Sequence, residues 1–253
     1  MIVDIELKKQ EFEENGYVKV ENLLSQVKVN EYLMICQDLL TGKIDTGKNR
    51  SDLGAALGEN KNVENITQIM WPSDFVQGIL ENEYHQRSLY LVKKLLGEDM
   101  EMDFDMVINK APYTNTITPW HQDAAYWVDL PDKRAISCWM ALDEATLENG
   151  CMWYTPKSHL APILPHRFAG KEGGALVCDG SEENSVYVPL QPGSCVMHGG
   201  NTLHYSRGNS TAGNRRAWII NFRPKAMIEL ERSKGFDHGR GGNAGDRKIR
   251  NKG

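Results

Sequence analysis

The chain has 253 residues, 40% apolar and 25% charged, enough to bury one large core and too apolar for a disordered polymer. A net charge of −5 and a pI near 5.8 exclude the global basic field that nonspecific nucleic-acid binding needs. Mean hydropathy is −0.50, and no apolar run approaches the roughly 20 residues of a bilayer span, so a membrane is not an expected partner either.

The N-terminal stretch MIVDIELKKQEFEENGY is charged throughout and lacks the apolar core of a secretory signal, which predicts a cytoplasmic protein. Next, SQVKVNEYLMICQDLLTGK places Val29, Leu33, Cys36 and Leu40 at helical spacing, with Ser25 to cap the start and Gly42 to end it. The polar, Gly-rich stretch from residue 43 to 62 has loop chemistry. A second helix is predicted over EYHQRSLYLVKKLLGED, between a capping Asn82 and Gly97.

Past residue 100 the texture changes to short β-prone runs between Pro, Gly, Asn and Asp. They are MDFDMVINK, ISCWMALD, CMWYT, SVYVPL, SCVMHG, LHYSR and AWIINFR. Many short strands with turn signals between them predict a sandwich, jelly roll or barrel. The chain therefore reads as a single α+β domain with a mainly β core: residues 1–100 mainly helical, 101–224 the core, and 225–253 a C-terminal tail or lid. Within that tail RKIRNKG is basic and reads as a solvated end. The five cysteines, Cys36, Cys138, Cys151, Cys178 and Cys195, are scattered with no C-x-x-C pair, which predicts reduced, buried thiols rather than a disulfide framework or zinc ribbon.

The segment TPWHQDAAYW sets His121 and Asp123 two residues apart. If residues 120–124 are extended, both side chains leave the same face and reach one metal ion. A third ligand must come from downstream, where His198 and His204 are the candidates. His204 is favoured because Ser206 shares its face and Arg215 opens the run after the loop GNSTAGN, in what reads as a long-looped hairpin. His198 reads as a packed histidine supporting a ligand. Two histidines and a carboxylate leave coordination positions open, as in nonhaem iron(II) oxygenases, and an arginine fork suits a carboxylate. His159 and His166 lie in Pro-broken loops, His85 on a helix and His238 in the tail, outside the cluster.

On these residues, and on EFEENGYVKVENLLS, NITQIMWPS, SCWMALDEATLENGCMWYTPKSH and LQPGSCVMHGGNTLHYSRGNSTAGNRRA, the chain resembles the phytanoyl-CoA dioxygenase family of iron(II)- and 2-oxoglutarate-dependent oxygenases. The resemblance runs to about residue 224. It implies a double-stranded β-helix, cupin-like, with helices outside, and iron ligands at His121, Asp123 and His204. It places the 2-oxoglutarate salt bridge on Arg215, with Ser206 assisting, Trp139 lining, and Asn109 and Gln68 as further polar contacts. The cofactors implied are Fe(II), 2-oxoglutarate and O2. The implied reaction hydroxylates a C–H bond of a small-molecule metabolite with release of succinate and CO2; desaturation, cyclisation, epimerisation, or a non-catalytic module binding metal and 2-oxo acid are the alternatives. A carboxylate at 123 disfavours halogenation. Substrate contacts are expected from Ala124 to Trp127, from residues 43–62, from His159 to Gly174 and from the tail, with homo-oligomerisation left open.

Overall fold

A computed structural model of the chain describes residues 4–58, 62–170 and 175–240. Four helices are described: α1 (Ile5–Asn15), α2 (Gln26–Leu40), α3 (Glu83–Leu96) and α4 (Lys225–Ser233). The strands are β1 (Tyr17–Val20), β2 (Arg50–Asp52), β3 (Ile66–Met70), β4 (Met100–Lys110), β5 (Thr118–His121), β6 (Ile136–Ala141), β7 (Met152–Tyr154), β8 (Arg167–Phe168), β9 (Leu176–Val177), β10 (Val186–Val188), β11 (Cys195–Gly199), β12 (His204–Ser206) and β13 (Arg215–Pro224). A seven-stranded sheet in the order β1-β11-β6-β13-β4-β3-β2 packs on a four-stranded sheet in the order β10-β7-β12-β5. The short pair β8-β9 stands apart. This is the jelly-roll architecture, open rather than closed as a barrel.

Both predicted helices form where their caps put them. The Ser25 hydroxyl accepts from the Lys28 amide at 3.4 Å, and Gly42 past the end adopts φ 76°, the left-handed conformation glycine takes at no steric cost. The buried stripe of α2 is Val29, Tyr32, Cys36 and Leu39, so Leu33 and Leu40 lie at its border rather than at its centre. Helices α1, α2 and α3 cover one face of the large sheet, where Cys138, Met140, Trp218 and Ile220 complete the main core. On its other face Trp139, Ala141, Ala217 and Ile219 meet Met152 and Val188 of the smaller sheet. Alternation along β6 and β13 explains why ISCWMA is apolar at nearly every position: both its faces are buried. Each large apolar side chain so buried contributes about 1.5–3 kcal/mol.

Three expectations need correction. The run from LHYSR to AWIINFR is not a hairpin, since β12 lies in the smaller sheet and β13 in the larger; the polar loop carries the chain from one layer to the other. The loop from 43 to 62 contains β2, an edge strand paired antiparallel with β3. Residues 1–100 contribute β1, β2 and β3 to the large sheet, so the division at 100 is not a structural one. The basic run RKIRNKG lies outside the described residues.

Candidate active site

Strands β5 and β12 pair antiparallel with His121 directly opposite His204, and the two rings lie 4.2 Å apart. Opposed side chains of an antiparallel pair start within about 5.5 Å of one another, so the register alone brings these imidazoles together. Strand β5 ends at His121, and Asp123 opens a 3-10 turn, Asp123–Tyr126. The expected extended stretch to 124 is therefore shorter than predicted, yet Gln122 remains extended at φ −122° and ψ 127°, which keeps Asp123 on the face of His121. The Gln122 side chain is turned to the Asn201 carbonyl and the Leu164 amide instead. The turn is held on the following segment, where the Ala124 amide donates to the Gly200 carbonyl at 2.9 Å. A Cβ at Gly200 would stand 2.4 Å from the Trp127 ring, so glycine is required there for that approach.

The Nε2 atoms of His121 and His204 each lie 3.6 Å from Asp123 Oδ1, and one ligand atom from each of the three falls within 4.8 Å of the others. Both histidines donate Nδ1–H to a carbonyl two residues earlier, Pro119 at 2.7 Å and Thr202 at 2.8 Å. That fixes the tautomer whose Nε2 lone pair faces the shared point. Burial, together with His121 and His198 nearby, pushes His204 well below the ordinary imidazole range. Burial would raise Asp123, but the three histidines around it, His204, His121 and His198, hold its carboxyl well below the ordinary range. A neutral His204 beside an ionised Asp123 is the protonation pattern a divalent ion requires.

The second oxygen of Asp123 is occupied by protein. The Ser137 hydroxyl donates to Oδ2 at 2.8 Å, with Asn221 donating to Ser137 at 2.9 Å. His198 Nε2 reaches the same oxygen at 3.2 Å, its Nδ1 meeting the Tyr154 hydroxyl at 3.1 Å. His198 is thus a support for Asp123, as its sequence context suggested. Ser137, Asn221 and Tyr154 were not legible as site residues, because a serine, an asparagine or a tyrosine within a strand carries no spacing signature.

Arg215 is 1% exposed, and its Nε and Nη1 have no hydrogen-bond partner. Ser206 Oγ, two residues on from His204 and so on the same face, is likewise buried and unpartnered. The Arg215 guanidinium stands 5.1 Å from the Trp139 ring centre, and burial pushes its pKa down to about 10. Directly opposite it across β13 and β4 is Lys110, a fully buried lysine whose Nζ donates to the carbonyls of Arg207 at 2.7 Å and Thr116 at 2.9 Å. Burial and Arg215 together depress Lys110 well below the ordinary lysine range. Buried donors such as the Arg215 nitrogens left unmade cost about 1–3 kcal/mol each. These unpartnered groups fit a bound dianion: its carboxylate would satisfy the orphan guanidinium and hydroxyl at once. Lys110 was missed at the sequence level; its signal was a lysine closing an apolar strand on the inward-facing parity.

A cavity of about 140 Å³ opens beside the triad and is lined by His121, Asp123, Gln68, Met106, Tyr126 and Trp127 among others. Gln68 is therefore at the cavity, its Nε2 3.3 Å from the Met106 sulfur. Asn109 is not. The even residues Phe104, Met106 and Ile108 of β4 line the cavity, whereas Val107 joins the helix-side core; Asn109 has the parity of Val107 and pairs with Arg216, whose side chain binds Asp143. The two-residue repeat of the strand turns Asn109 away from the site. Of the expected substrate segments, Tyr126, Trp127 and Leu53 contribute to the lining, and no described residue of the segment from 159 to 174 does. The tail does contribute: Phe236, His238 and Gly239 form part of the wall. His238 is thus outside the triad, as expected, but inside the cavity it opens on.

The chain is similar to several known proteins. The model of the phytanoyl-CoA dioxygenase (PhyH) family matches residues 12–217. A probable phytanoyl-CoA dioxygenase of Caenorhabditis elegans is 29% identical over 81% of this chain and 71% of its own length. The peroxisomal phytanoyl-CoA dioxygenase of Bos taurus is 24% identical over 83% of this chain and 66% of its own. Among solved structures, EvdO2 of Micromonospora carbonacea var. aurantiaca, complexed with 2-oxoglutarate, is 27% identical with a TM-score of 0.71, covering 88% of this chain and 91% of that one. The epimerase SnoN, solved with Fe3+, alpha ketoglutarate and nogalamycin RO, shares the fold at 23% identity and a TM-score of 0.70, over 86% of this chain and 82% of its own.

Proposed function

The chain belongs to the phytanoyl-CoA dioxygenase family, and from that premise we propose that it is an iron(II)- and 2-oxoglutarate-dependent oxygenase acting on a C–H bond of a small molecule. The observation that carries this reading is the coincidence of two unfinished sites on facing layers: three ligand atoms converging on one point, and the buried guanidinium of Arg215 with the Ser206 hydroxyl, both unpartnered.

His121, Asp123 and His204 would hold iron(II) in the two-histidine, one-carboxylate arrangement that leaves positions open. Arg215, with Ser206 and with Lys110 opposite it, would hold the far carboxylate of 2-oxoglutarate, and Trp139 would flank it. When bound, iron(II) with 2-oxoglutarate and dioxygen supplies the oxidising power that converts the keto acid to succinate and carbon dioxide while a substrate C–H bond is oxidised. The protein's own part is positional. Ser137 and His198 keep Asp123 Oδ2 engaged, which leaves Oδ1 beside the two histidines where it would hold the ion, and the backbone carbonyls at 119 and 202 hold both imidazoles to one tautomer. Phe104, Met106 and Trp127 keep water from the reacting end of the cavity. Whether hydroxylation or a desaturation, cyclisation or epimerisation follows depends on which substrate atom this wall presents to the triad.

The test is succinate release by purified protein supplied with iron(II), ascorbate and 2-oxoglutarate. Slow succinate formation without prime substrate, lost in Asp123→Ala, is the expected result. Thermal stabilisation by iron and 2-oxoglutarate, with no succinate formed across a metabolite library, would instead identify a binding module.

A further inference from the structure

The cavity's outer wall comes from beyond α4, and its chemistry narrows what can enter. We propose that the segment 236–238 is the specificity wall of the substrate pocket, and that the pocket takes an uncharged, ring-bearing small molecule that donates a hydrogen bond to His238. This rests on the oxygenase reading above.

Among the described residues the lining contains no lysine or arginine, and its one carboxylate is Asp123. Neither a carboxylate substrate nor the phosphates of a nucleotide carrier would find a lysine or arginine among them. What the lining offers is flat and polarizable surface: Phe104, Tyr126, Trp127 and Phe236, with Met70 and Met106 between them. Aromatic faces and thioethers favour rings over flexible chains.

His238 is built into this wall with unusual care. Its ring stacks on Phe104 at 4.0 Å and 25°, and Phe236 meets it edge-on at 4.8 Å. Its backbone is left-handed at φ 54°, a conformation uncommon for a residue with a side chain and kept where the surroundings enforce it. Nε2 lies 3.1 Å from both Asp103 Oδ2 and Glu231 Oε2. Ionised carboxylates only accept, so Nε2 carries a proton, and the geometry leaves Nδ1 as the ring nitrogen for a ligand's donor. No described residue hydrogen-bonds to that Nδ1.

Asp103 and Glu231 could resemble a second metal site with His238, but their charges are already matched. Arg232 binds Asp103 and lies 3.0 Å from Glu231, and Arg223 lies 3.4 Å from Asp103 and 3.3 Å from Glu231. Two guanidinium groups balance two carboxylates, leaving the imidazole to present its other edge to the cavity. The far side of the segment is fixed as well. Trp71 donates Nε1–H to the Asp237 carbonyl at 3.1 Å, and Arg240 lies over Trp71 while pairing with Asp74 at 2.7 Å. The wall is therefore preformed, which suits a residue that selects substrate.

The probes are 2-naphthol, 2-methoxynaphthalene, which lacks the donor, and 2-naphthoate, which is charged. Binding is measured by equilibrium dialysis against anaerobic protein loaded with iron(II) and 2-oxoglutarate, whose visible charge-transfer band reports the chelate independently. In the unaltered protein 2-naphthol should bind at least tenfold tighter than either analogue. Phe236→Ala should weaken 2-naphthol and 2-methoxynaphthalene alike, about tenfold. His238→Phe keeps the stack on Phe104 but should collapse the naphthol-to-methoxy ratio to near one, a change a purely structural role would not produce. Equal binding of the three probes, no binding of 2-naphthol, or a ratio preserved in His238→Phe overturns the inference. The probe comparison in the unaltered protein and Phe236→Leu, expected to lose less than Phe236→Ala, decide the matter should His238→Phe not fold. Failure of the chelate band in the unaltered protein removes the oxygenase reading and this inference with it; a normal band with probe binding unchanged in the Phe236 variants overturns this inference alone.

Discussion

Asp123 has two oxygens with different partners, and that difference is testable. Oδ1 faces the two histidines, while Oδ2 is held by Ser137 and His198. Removing a hydrogen bond that orients a metal ligand lowers affinity about 10- to 100-fold. Ser137→Ala should therefore weaken iron(II) binding within that range, read by anaerobic metal titration, while the fold survives because Ser137 is small. The convergence of these three residues was legible in sequence because H-x-D at a strand end and a later histidine followed by Ser and Arg form a pattern with a geometric meaning. Asn109 was misplaced because resemblance names a position without its parity, and parity is fixed only by strand register. Lys110, one residue on, takes the inward place that Asn109 was expected to occupy.

The unit formed by α4 and the segment after it depends on buried charge. Burial would raise the Asp103 carboxyl, but His238, Arg223 and Arg232 hold it down at about 2 against an ordinary 3.8. The folded value lies below the unfolded one, so the stability this group contributes is complete above about pH 4 and is lost as pH falls toward 2. Its size is on the order of 2 kcal/mol. Urea denaturation followed at pH 5 and pH 3 should show about half of that loss, and Asp103→Asn should flatten the difference while lowering stability at pH 5. The tail's folding back was one of two readings the sequence allowed, and ERSKGFDHGRGG contains no periodic signal to decide it. The deciding contacts are made with Trp71, Asp74, Asp103 and Phe104, all more than a hundred residues earlier. The hairpin expectation failed for a related reason: two β-prone runs around a polar loop look the same whether they pair with each other or join separate layers.

At the scale of the whole molecule, α2 and α3 were readable from apolar spacing and flanking cap residues, α1 and α4 were not read, and the sheet order was not legible, because it arises from pairings such as β1 with β11 across the chain. Iron(II) and 2-oxoglutarate bind the folded state and should raise its thermal midpoint in proportion to RT ln(1 + [L]/Kd), read by calorimetry under anaerobic conditions. The loop between β12 and β13 carries the chain from the smaller sheet to the larger, with His204 on one bank and Arg215 on the other. A keto acid chelated at one end and ion-paired at the other would span both like a tie-rod. Amide exchange in β12 and in β13 should then slow together when the cosubstrate is added to the iron-loaded protein, and in Arg215→Ala the two strands should breathe independently again. The two leaves of the sandwich would be stitched by a molecule that the reaction itself consumes, so each turnover cuts the stitch and frees the leaves to exchange their contents.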